Sequence, residues 1–155
     1  MTAISTVPAV KQAIVTKLRD VSDVPVDYCW PGPSTKPRHI FLGRHPELDD
    51  VRIDGRQEVP TIKAGRKQSQ EVFELPVTHW SFRGDLTPDA GAEVESGAFE
   101  MAEDLRTLVA EDWTLGLSPQ VQRVSVVDTA STLFPFQKGW ACELVVTLEV
   151  HARLT

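Results

Sequence analysis

Three acidic side chains, Glu100, Glu103 and Asp104, lie close together in a segment with helical spacing. Carboxylates at these spacings could share one helix face and bind a cation, and a solvated helical face is the competing explanation. Together with His79, these carboxylates support the hypothesis that the chain is a small enzyme or a ligand-binding domain. No nucleophile paired with a base accompanies them, and phosphate-binding glycine loops and the paired-histidine metalloprotease helix are missing. We therefore expect no catalytic residues, no cofactor and no metal site.

A basic turn is the second candidate for chemistry. Arg66 and Lys67 stand at its tip, with Arg52, Arg56 and Lys63 nearby. Guanidinium and ammonium groups at the tip of a hairpin could contact phosphates or an acidic partner, and a solubilised turn is the open alternative.

Aromatic side chains beside turns form the third candidate. Trp113 follows a helical segment, and Phe134 and Phe136 flank Pro135 in a segment that we interpret as a loop. Exposed aromatics in such places often become anchors once a partner covers them. Together with the basic side chains they make up the predicted subunit or partner interface: Arg52, Arg56, Lys63, Arg66, Lys67, Trp113, Phe134 and Phe136.

The formal charge of −6 is unevenly distributed. Residues 85–113 contain nine acids and one base, so this segment carries −8 and the remainder +2. An acidic surface repels DNA, which suits a passage for nucleic acid better than a binding site. The predicted acidic surface consists of Glu93, Glu100, Glu103, Asp104 and Glu111.

The elements that must position these groups follow from periodicity. Spacings of three and four predict helices over residues 6–20 and from Thr87-Pro88 to about 112, each with a proline in its first turn. The apolar even positions from Trp140 to Val150 predict a last strand with one buried and one wetter face. Further strands are predicted over 26–30, 39–43, 71–82 and 121–129, with a loop over 130–138 before the last strand at 139–153.

Two local features qualify this assignment. The segment 44–70 is charged and poor in apolar residues, which predicts a protruding arm or hairpin with its turn near 64–67. The apolar phase of the 71–82 strand shifts around Pro76, which predicts a bulge or an edge position. The cysteines, Cys29 and Cys142, lack metal-type spacing and are expected to be core thiols.

The order of these elements predicts one α+β domain over residues 1–155. Its sheet is mostly antiparallel, with about four to five strands, and both helices pack on one face. The arm at about 44–70 projects from this domain. No signal peptide or membrane span is visible in the sequence.

The layout resembles the tail terminator proteins of long-tailed phages, especially those of actinobacterial hosts. The resemblance is carried by the N-terminal helix at 7–18, the strand at 39–43, the basic turn and strand at 65–77, the helix at 98–109 and the closing strand at 139–148. It implies a non-enzymatic virion protein at the junction of tail and neck, assembled in the host cytoplasm. Six copies would form a ring that caps the tail tube, stops its polymerisation and meets the head–tail connector protein, while DNA passes through without specific binding.

Two alternatives stay open at this point. Another neck component, such as a head-completion or stopper protein, would show the same general features. The small enzyme or ligand-binding domain described above is the remote alternative.

Overall fold

The computed structural model describes residues 4–32, 36–45, 53–63 and 66–154. Two long helices and six strands make up this part of the chain. In chain order they are α1 (Val7–Val21), β1 (Val26–Asp27), β2 (Arg38–Leu42), β3 (Gly55–Lys63), β4 (Arg66–Arg83), α2 (Pro88–Glu111), β5 (Val121–Phe136) and β6 (Gly139–Arg153).

The strands form one open sheet in the order β1-β2-β4-β6-β5, and β3 pairs with β4 beside β2. The short β1–β2 pair is parallel and the other pairs are antiparallel. The core joins apolar residues of both helices to alternate residues of the central strands, among them Ile14, Leu105, Leu75 and Leu148. The predicted α+β class is confirmed, with six strands instead of four to five.

Helix α1 is fixed to the sheet through its N-terminus. Its buried stripe is Val10, Ile14 and Leu18, and a proline occupies its first turn. The Glu71 carboxylate on β4 accepts hydrogen bonds from the Thr6 backbone N–H and hydroxyl, each at 2.8 Å. A carboxylate at this end of a helix satisfies unpaired N–H groups and complements the helix dipole, so a residue on another element acts as the cap.

Helix α2 lies across β4, β6 and β5 on the same face of the sheet. It begins as predicted, because the Thr87 hydroxyl accepts the Ala90 N–H at 3.3 Å and Pro88 occupies the first turn. Glycine permits one close approach on this helix: a Cβ at Gly97 would overlap the Arg38 guanidinium, whereas one at Gly91 would make an ordinary 3.6 Å contact with the Trp140 ring.

Strand β4 changes the interpretation of Pro76. It is a central strand that pairs with β6 without interruption from Gln70 to Arg83, so the predicted bulge or edge position is wrong. The Pro76 carbonyl accepts from Gly43 N, which shows that its missing N–H also faces the β2 side and costs the β6 ladder nothing. Trp80 and Phe82 simply point to the face opposite the helices, where Phe136 contacts both.

Strand β5 is longer than predicted. The predicted loop at 130–138 is wrong, because β5 pairs with β6 as far as Phe136 opposite Gly139, and Gln137 and Lys138 alone form the turn. Pro135 is tolerated because β5 is the edge strand. A second correction concerns β6, which has no wet face over Ala141–Leu148, since every residue there is buried.

Two smaller predictions also need correction. The first strand covers Val26 and Asp27 only, since the chain leaves the β2 edge after this parallel bridge. Cys142 is a core thiol as expected, and burial raises its pKa to about 11. Cys29 is exposed in the segment after β1, so the prediction that it is a core thiol is wrong.

Candidate assembly surfaces

The predicted basic hairpin is formed by β3 and β4. Lys63 pairs with Arg66, and Ile62 with Lys67, so the backbone brings the predicted tip residues together. The strand resumes at Arg66, within the predicted turn at 64–67. Pairing of β4 with β6 begins only at Gln70, so the preceding part of β4 pairs with β3 alone and extends past the sheet. Arg52, and the part of the predicted arm at 46–52, lie outside the described residues.

Arg56 lies at the base of this hairpin, exposed beside a cleft of about 510 Å³ on the sheet face opposite the helices. Arg44, Asp54 and Glu74 also line the cleft. On the adjoining β6, Glu149 accepts a 2.6 Å hydrogen bond from His151. That hydrogen bond, with the charges of His151, Arg123 and Arg56, lowers the Glu149 pKa. Cationic and anionic groups thus alternate along this surface, which suits contact with another mixed-charge surface.

The predicted acidic surface lies on the solvent side of α2 and is partly neutralised. Glu93 pairs with Arg83, Glu100 with Arg38 at 3.8 Å, and Glu103 with Arg106 at 2.7 Å. The Arg106 hydrogen bond also holds the pKa of Glu103 below its usual value. Asp104 is half-buried and Glu111 is exposed. Arg38 comes from β2 and Arg83 from the end of β4, both outside residues 85–113, so the composition of that segment overstates the acidity of this surface.

Cation binding by α2 gains no support from the geometry. Within the ranges that the structure describes, no group of three or more His, Cys, Asp or Glu side chains could hold a metal ion. Glu103 is engaged by Arg106 and Glu100 by Arg38.

His79, the other candidate for chemistry, is a core histidine. It is fully buried on the helix side of β4, where its Nδ1 lies 3.2 Å from the Leu144 carbonyl oxygen. Desolvation lowers its pKa to about 4, against the opposing effect of backbone hydrogen bonds at Leu144 and Val77. The neutral ring therefore donates Nδ1–H to Leu144 at neutral pH, out of reach of solvent.

The predicted aromatic anchors occupy two different environments. Trp113 follows α2 with 61% of its surface exposed, and its carbonyl accepts the Val124 N–H. Phe134 and Phe136 belong to β5, where both contact Trp80, with ring centroids 5.8 and 5.3 Å away. They complete an aromatic cluster on the sheet, and Phe136 keeps 37% of its surface exposed.

The sequence analysis missed the outer edge of β5. No residue from Ser125 to Phe136 is buried, and Asp128 is the only charged one. In the part of the chain described here, no strand pairs with this edge. The signal was the β-prone run Ser131 to Phe134, which fell within the predicted loop at 130–138.

No family model matches this chain, and no curated protein matches it. Neither helix, judged over the residues that the structure describes, combines the length and apolar character needed to cross a bilayer.

Proposed function

We propose that this chain is a structural component of a phage tail, the terminator that forms a six-membered ring on the finished tube. The ring would stop polymerisation of the tail tube protein and present a surface to the head–tail connector. The observation that carries the proposal is the β3–β4 hairpin, which extends past its own sheet, with Lys63 at the end of β3 and Arg66 and Lys67 at the start of β4.

A closed ring requires two different surfaces on each subunit, because head-to-tail contacts repeat around an axis. The hairpin lies on one side of the β4–β6 pair and the outer edge of β5 lies on the other. A hairpin that projects from one copy therefore reaches a neighbour without competing with contacts inside its own domain. Its cations would meet acidic groups there, and electrostatic complementarity of this kind fixes register between copies.

The acidic side of α2 supports the same proposal. Glu95, Glu103 and Glu111 are exposed on α2. Carboxylates that face a lumen repel the phosphates of passing DNA, so DNA would slide without being bound. In this model the protein works without a cofactor, in the virion, at the junction of tail and neck.

The test adds purified protein to tail tubes assembled without a terminator and images them by negative-stain electron microscopy. We expect discrete rings at one end of each tube and tubes that stop growing. The hairpin variant K63E/K67E should lose capping while keeping the circular dichroism and melting temperature of the parent. K36E/K138E is the matched control, since it makes the same charge change at exposed positions away from the hairpin.

Tubes that keep growing with open ends in saturating protein would count against the proposal. Immunogold labelling of intact particles adds a second criterion. Label confined to the head side of the neck would identify a head-completion or stopper protein instead.

A further inference from the structure

The outer edge of β5 is a second interaction surface, separate from the β3–β4 hairpin. Along Ser125 to Phe136 the strand spans roughly 40 Å. It exposes four large apolar side chains: Val126 (39%), Val127 (46%), Leu133 (38%) and Phe136 (37%). Natural edge strands are usually short or carry lysines that prevent pairing, and this one carries only Asp128.

We propose that this edge binds the β5 edge of a second copy, in antiparallel register about Ala130, when the protein is free in solution. Such pairing is isologous, so it closes with two copies and leaves both hairpins outside the contact. It protects the edge before assembly. The inference goes beyond the proposed function and does not depend on it.

The sequence of β5 is complementary to itself in this register. Thr129 meets Ser131 on one face of the sheet, and Asp128 meets Thr132 on the other, so each carboxylate faces a hydroxyl and the two carboxylates stay apart. Val127, the extra residue of the bulge between Val126 and Asp128, and Val126 beside it approach Leu133 of the other copy. Shifting the register by one residue in either direction sets Asp128 against Ser131 or Leu133 and moves these apolar pairs onto opposite faces.

A strand from an unrelated protein is the other occupant that such an edge admits. Self-complementarity favours the second copy, because the charge and apolar pairing above needs only residues of β5 itself. An edge that binds an unrelated protein would not need to be complementary to itself in antiparallel register.

Engineered disulfides test the register. In a C29S background, A130C should form an intermolecular disulfide rapidly on mild oxidation, because directly opposite residues of antiparallel strands lie about 4.5 to 5.5 Å apart at Cα, within disulfide range. T132C alone should not crosslink, whereas a mixture of T132C and D128C should. A110C is the matched control, an exposed alanine on α2 replaced in the same way. Cys142 is buried and stays reduced.

A charge swap tests the affinity without covalent chemistry. In sedimentation velocity experiments the parent should be dimeric, and A130K and A130E should each weaken dimerisation by up to about fivefold, because like charges would stand directly opposite. An equimolar mixture of the two should restore it, and A110K should have no effect.

A parent that stays monomeric at every concentration would overturn the inference, as would A130C crosslinking no faster than A110C. A dimer that crosslinks through other positions would do so too. None of these results affects tube capping by the hairpin, so the two proposals fail separately.

Discussion

Strands β5 and β6 are paired from end to end, yet their environments differ. From Ala141 to Leu148 β6 is buried on both faces, whereas no residue of β5 from Ser125 to Phe136 is buried. The difference comes from position, since β6 lies between two long strands and beneath α2, whereas among the described strands β5 pairs with β6 alone and has less of α2 above it. The molecule thus concentrates its stability in the centre of the sheet and leaves one long edge available for contacts.

Matched leucine substitutions test this difference in burial between β6 and β5 most directly. Leu148→Ala on β6 should lower the free energy of unfolding by about 3 kcal/mol, because the side chain is fully buried and its removal leaves a cavity. Leu133→Ala on β5, where 38% of the side chain is exposed, should cost less than about 1 kcal/mol in the monomer. Urea denaturation at a concentration where the monomer predominates measures both, and equal losses would mean that β5 is as well covered as β6.

The pH dependence of stability tests burial at the centre of the sheet, where His79 lies on β4. The pKa of His79 is about 4 in the folded chain and about 6.5 when unfolded, so the unfolded state binds the proton first as the pH falls. Stability should therefore decrease from about pH 6.5 and be lower by about 3 kcal/mol below pH 4 because of this group.

Denaturation of H79Q at a series of pH values isolates this contribution. In this variant the free energy of unfolding should fall much less between pH 6.5 and pH 4 than in the parent. In H151Q, at a half-buried histidine on β6, it should fall as in the parent. A parent and H79Q with parallel pH profiles would show that His79 is accessible to protons in the folded state.

The smallest expected effect concerns what β5 contributes to covering the sheet. Phe134→Ala removes a half-buried ring that contacts Trp80 and should cost about 1 to 2 kcal/mol, through lost aromatic packing and area. Phe99→Ala, at a 44% exposed phenylalanine on α2, is the control and should change the melting temperature little. If the two substitutions were equivalent, the aromatic cluster would contribute nothing measurable to stability.

Periodicity gave good predictions where one face of an element meets the core. The stripe Val10, Ile14 and Leu18 predicted α1, and Thr87 before Pro88 placed the start of α2 correctly. The hairpin at this segment was also predictable, because a long, charged segment that is poor in apolar residues and interrupted by turn residues favours a protruding arm over a place in the core. The interface roles of these residues stay predictions.

Errors arose where burial depends on residues distant in sequence. Trp80 and Phe82 looked like a phase shift because the aromatic cover that β5 gives them comes from about fifty residues later in the chain. Pro135 looked like a loop residue because an edge position cannot be recognised from one strand alone. The acidity of α2 looked greater than it is because Arg38 reaches it from the distant strand β2, and because Arg83, at the end of β4, lies just outside the segment 85–113.

The sequence by itself determined the α+β class, both helices, the basic hairpin and the last strand, since these depend on local periodicity, capping and turn chemistry. Only the tertiary structure decided that Glu71 caps α1, that His79 is a neutral core residue and that β5 presents a long bare edge. Each of these depends on which elements become neighbours, and hydrogen bonding, desolvation and edge exposure are properties of neighbours in space, not in sequence.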